Sequence, residues 1–184
     1  MRITRVASAT PFGTTTAAAV AAVAMALVPA GSGAQAPPAI RAQDLEGNPA
    51  AVVYEPGRWT LVGLTDRQHR TELADWFRAL APAVDSAQTR HYVVVALPRM
   101  VPPPFRGTIR RAFPQSGPWT YLLDWGGAAV ATATTRRALP CLIAVAPDGV
   151  VAGQPCGAAD SARIDTLRAR LTGAAPSMSR GAQP

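Results

Sequence analysis

Asp148-Gly149 sits between two apolar runs, Leu139-Pro140-Cys141-Leu142-Ile143-Ala144-Val145-Ala146 before it and Val150-Val151-Ala152 after it. Asp-Gly between hydrophobic segments is a strong hairpin signal, because the tight turn needs positive φ, which glycine adopts without steric cost. With Asp148 and Gly149 as the turn residues, Pro147 faces Val150 and Cys141 falls opposite Cys156. The chain has 2 cysteines, so any bridge within it joins this pair. Directly opposed strand residues hold their Cβ atoms about 4.5–5.5 Å apart, and a disulfide prefers about 3.5–4.5 Å. A close non-hydrogen-bonded pair or a small twist would therefore allow closure.

The compartment decides how such a pair is read. Arg2 and Arg5 open the chain, Ala17 to Val28 is uninterrupted small or apolar sequence, and Ala34-Gln35-Ala36 fits a small-x-small cleavage site. The run falls short of the roughly 20 residues needed to span a bilayer. Residues 1–36 are expected to be a cleaved signal peptide, and the mature protein to be periplasmic or secreted. A single domain is expected over 37–173, with an Ala-, Ser-, Gly- and Pro-rich tail at 174–184. In an oxidising compartment a disulfide is the ordinary state of two cysteines.

The formal charge of +7 becomes +5 once Arg2 and Arg5 are removed. Every basic residue is arginine, which excludes a Schiff-base lysine and a phosphate-loop lysine. The arginines are scattered and lack interleaved aromatics, so nucleic acid is not an expected partner. An anionic envelope surface is a weaker electrostatic option.

Along the mature chain, Asp44 to Pro49 holds a turn at Gly47-Asn48, and Val52-Val53-Tyr54 reads as a short strand. Trp59 to Leu64 is almost wholly apolar, as a strand covered on both faces should be. Thr65 then reads as a helix N-cap with Gln68 as its capping-box partner, and Leu73, Trp76, Phe77 and Leu80 form a stripe of helical period ending before Pro82. A second apolar strand, Tyr92 to Leu97, follows. Strand, helix and strand of these lengths imply a right-handed parallel crossover. Phe105 to Phe113 reads as a short helix with Ile109 and Phe113 inward and Arg106, Arg110 and Arg111 in solvent. Pro118 to Asp124 leads into a second expected hairpin turn at Asp124-Trp125-Gly126-Gly127, and Ala128 to Thr135 is expected to be a strand. After the Asp148-Gly149 hairpin, a helix is expected from about Asp160 to Leu171, capped by Asp160 or Ser161.

A proline before an apolar strand, then Asp-Gly, a second strand, a glycine and a final helix resemble the C-terminal half of a thioredoxin-like domain. The preceding strand-helix-strand extends the resemblance over nearly the whole mature chain. The stretch from Arg90 to Gly157 is also faintly similar to YtfJ-type exported members. The resemblance implies an α/β fold with a central mixed sheet and helices on both faces. It also implies that Pro140 matches the family's cis-proline, which faces the active site.

Family oxidoreductases place Cys-x-x-Cys where the first central strand meets its helix, whose N-terminus lowers the thiol pKa. Here that junction reads Leu64-Thr65-Asp66-Arg67-Gln68-His69-Arg70, with no cysteine. Two roles stay open for Cys141 and Cys156: a structural clip on the hairpin, or an exchange pair with Cys141 as the reactive thiol. Asp66, Arg67, His69 and Pro140 are the candidate binding residues, for a protein or peptide partner or an anion at the helix start. The alternative for Asp66 and Arg67 is simple capping and solvation. Two histidines and two cysteines form no metal set, and no cofactor motif is present. The expected function is a non-catalytic binding or scaffolding module, with a thiol–disulfide oxidoreductase or peroxiredoxin-like enzyme and an envelope-surface module as alternatives.

Overall fold

The structure, a computed structural model, is described for residues 35–85, 87–134 and 138–173. The tail and almost all of the expected signal peptide lie outside these residues. The described chain forms seven strands and four helices: β1 (Arg41–Gln43), β2 (Pro49–Ala51), β3 (Trp59–Asp66), α1 (Arg70–Leu80), β4 (Thr89–Leu97), α2 (Pro103–Arg111), β5 (Trp119–Trp125), α3 (Ala128–Thr134), β6 (Cys141–Val145), β7 (Val151–Gly153) and α4 (Ser161–Gly173). One mixed sheet runs in the order β2-β1-β5-β4-β3-β6-β7. β3, β4 and β5 are parallel, while β6 pairs antiparallel with β3.

The central strands have two buried faces, and alternate residues enter two different cores. Leu61, Val93, Val95, Leu123 and Leu142 pack with Leu73, Trp76, Phe77 and Leu80 of α1 and Leu167 and Leu171 of α4. Val62, Leu64, Val94, Leu122, Ile143 and Cys141 pack on the other face with Ile40, Val52 and Val130 and Ala133 of α3. Burying both faces explains the unbroken apolar run of β3 and β6. At Gly63 α1 closes tightly on the sheet: a Cβ there would lie 2.7 Å from Leu73 and 2.9 Å from Phe77.

Four local expectations are corrected. The second short strand is Pro49–Ala51, and Val52 to Tyr54 lies outside it. Thr65 does not cap α1, because β3 continues through Asp66 and the helix starts at Arg70. Ala128–Thr134 is a helix. Gly126 and Gly127 turn the chain at φ 102° and 69°, and the buried Asp124 carboxylate accepts the Val130 amide hydrogen at 2.9 Å. That bond holds the start of α3, whose Val130, Ala133 and Thr134 are buried at helical spacing. The fourth correction concerns two arginines of α2. Arg110 donates to the Gln43 side-chain oxygen Oε1 at 2.9 Å, and the Arg106 guanidinium lies 4.9 Å from the Trp125 ring centre.

The Asp148-Gly149 hairpin forms with one adjustment. Gly149 N–H donates to Ala146 O and Ala146 N–H to Val150 O, so Pro147, Asp148 and Gly149 together make the loop. Val145 therefore pairs with Val151, and an irregularity at Ala144/Val145 absorbs one residue, restoring Ala144 opposite Gly153. Cys141 consequently pairs with Cys156.

Candidate functional site

Three segments meet near the C-terminal end of β3. The first is the strand-to-helix junction. Asp66 Oδ1 accepts the Gln68 amide at 2.9 Å, the His69 amide at 2.9 Å and lies 2.7 Å from His69 Nδ1. Burial pushes the Asp66 carboxyl up, but these hydrogen bonds outweigh it and hold the group below its ordinary value. Asp66 thus closes the turn that leads into α1, whose N-cap, His69, carries no side-chain capping bond, while Thr65 is fully buried in β3. Arg67 and Arg70 are exposed.

The second segment is Leu139-Pro140-Cys141. The Leu139–Pro140 peptide is cis, and Pro140 is buried. Cys141 pairs with Leu64 across β3 and β6, which puts Pro140 at the level of Thr65 in the same register. The third is Pro155-Cys156-Gly157, tied down by Leu142 N–H to Pro155 O at 2.9 Å and Gly157 N–H to Pro140 O at 2.7 Å. Trp76 of α1 reaches the same place, donating its Nε1–H to Gly157 O at 2.9 Å.

Cys141 and Cys156 form a disulfide with Cα atoms 4.0 Å apart. Cys141 has no exposed surface and packs in the α3-side core, while Cys156 is half-buried. Neither belongs to the first turn of a helix, where amides and dipole would favour a thiolate. Asp66 and His69 pair with each other. Pro140 is brought to the same strand end. Among the described residues no three His, Cys, Asp or Glu side chains cluster as metal ligands would.

A feature the sequence did not reveal lies beside this junction. A cleft of about 650 Å³ opens between α1 and the C-terminal end of α2, where Ala112 to Pro114 leave the helix, above β4 and β5, and is walled by Phe77, Phe113, Trp119 and Tyr121. Trp119 and Tyr121 stand two apart on one strand, the only local hint of a shared face. That α2 leaves a gap before α1 depends on long-range packing.

No family model and no curated protein sequence matches this chain. Solved structures do match. A putative thiol:disulfide interchange protein DsbE from Chlorobium tepidum is 12% identical at TM-score 0.52, covering 77% of this chain and 96% of that one. A putative protein disulfide isomerase from Bacteroides thetaiotaomicron is 14% identical at TM-score 0.52, covering 75% and 89%. The pneumococcal exposed lipoprotein thioredoxin Etrx1 from Streptococcus pneumoniae is 11% identical at TM-score 0.51, covering 73% and 98%. The fold is thioredoxin-like, as the resemblance implied.

Proposed function

We propose that this protein is an exported, non-catalytic binding module on a thioredoxin-like scaffold, with Cys141–Cys156 as a structural clip. The observation that carries the reading is the junction itself: Leu64 to Arg70 holds no cysteine, and the two cysteines of the chain are bonded to each other with Cys141 fully buried. The surface offered to a protein or peptide partner is the edge formed by Asp66, Arg67 and His69, at the strand end that also holds the buried Pro140. Export rests on the basic start, apolar run and small-x-small site of the first 36 residues. Among the described residues no helix is long and apolar enough to cross a membrane.

A redox reading draws on one observation, the position of Cys141 directly after Pro140 beside the end of β3, with Cys156 half-buried. Insulin reduction separates the two. A structural clip gives no catalysis. Turnover that disappears in Cys141→Ser overturns the non-catalytic reading. Binding to anionic vesicles that weakens with salt would instead favour an envelope-surface role for the arginines.

A further inference from the structure

The cleft between α1 and α2 has the composition of a ligand site, and its contents point to one chemical class. Its volume of about 650 Å³ lies in the range usual for small-molecule pockets. Its walls carry two ring pairs, Phe77 against Trp119 at 4.2 Å and Phe113 against Tyr121 at 5.5 Å. Rings so placed present edges and faces to a further aromatic body. No acidic side chain lines the cleft. Its basic side chains are Arg70 and Arg78; Arg78 is engaged by Asp75 at 2.6 Å, whereas Arg70 is exposed with no ion pair or side-chain hydrogen bond among the described residues. A second hollow of about 780 Å³ shares Arg70, Val95, Ala112 and Phe113 with the first, and its single carboxylate, Asp66, is already held by His69 and Gln68.

We propose that this cleft binds a small aromatic monocarboxylate, its ring between the Phe77–Trp119 and Phe113–Tyr121 pairs and its carboxylate on Arg70. The bidentate geometry of a guanidinium suits a carboxylate. The proposal goes beyond the binding-module reading and does not depend on the state of the bridge. The cleft uses the α1-side core, and Cys141 belongs to the α3-side core.

The test is calorimetric titration of the mature protein with 2-naphthoate and its neutral analogue 2-naphthamide. Saturable one-to-one binding is expected, with naphthoate about fivefold tighter, the scale of one exposed charge pair. Arg70→Gln should weaken naphthoate about fivefold and leave naphthamide unchanged. Ala74→Trp, at an exposed position on the α1 wall, should abolish binding of both. Ala112→Leu on the opposite wall should weaken both and serves if Ala74→Trp does not fold. Absence of saturable binding, equal affinity for the two probes, or wall substitutions that change nothing would overturn the proposal.

Discussion

Removing the Cys141–Cys156 bridge is the perturbation whose magnitude follows most directly from the structure. The bridge closes a segment with a sequence separation of 15. In the chain-entropy model, releasing such a loop costs about 3 kcal/mol at 25 °C. Substituting both residues by alanine also removes the fully buried Cys141 sulfur, adding about 1 kcal/mol. For a domain of this size, a total of about 4 kcal/mol lowers Tm by about 12 °C. Either single substitution already opens the loop, so the double variant should lose about 3 kcal/mol less than the two singles summed. Urea denaturation of the four proteins in the cycle measures this, and the urea slope should rise on bridge removal because the unlinked chain exposes more surface. A double variant that loses under about 1 kcal/mol, or singles that simply add, would refute the reasoning.

Gly63→Ala should destabilise by about 1–3 kcal/mol in the same urea assay, because its Cβ would lie 2.7 Å from Leu73 with α1 already seated on the sheet. Asp66→Ala should cost about 1 kcal/mol at pH 7, because the Gln68 and His69 amides of the turn lose their acceptor. Since the folded Asp66 carboxyl lies below its ordinary value of 3.8, its contribution is present above that pH and fades as pH falls through the folded value. The deficit of the alanine variant should therefore shrink in acid. His91 behaves in the opposite sense to a salt-bridged histidine: burial holds it below 6.5, so the unfolded chain takes up the proton first. Stability should fall as pH drops below about 6.5 towards the folded value, and His91→Gln should flatten that slope in thermal melts.

What the sequence disclosed was set by local physics. The stripe Leu73, Trp76, Phe77 and Leu80 and the apolar β3 are short-range patterns, and all of these residues on α1 are buried. The hairpin was legible because Asp148-Gly149 carries its own turn chemistry. Its bulge was not, since one residue of slippage is decided by pairing at Ala144 and Val145. α3 was misread as a strand because Ala and Thr tolerate either geometry. The deciding interaction, Asp124 to the Val130 amide, joins the end of one element to the start of another. At the candidate site, the missing junction cysteines and the Cys141–Cys156 pairing were readable from spacing. The α1–α2 cleft was not, because its walls come from residues 65 to 121 and meet only through the fold.

The central claim is that the bridge is a clip and the thioredoxin-like edge performs no thiol chemistry. Equilibrating the mature protein against graded glutathione buffers, with alkylation to count open bridges, tests it most directly. A bridge that stays closed throughout, with a midpoint below about −300 mV, is the result expected of a structural disulfide. A bridge that opens near −200 mV would contradict the claim and assign the protein to thiol–disulfide exchange.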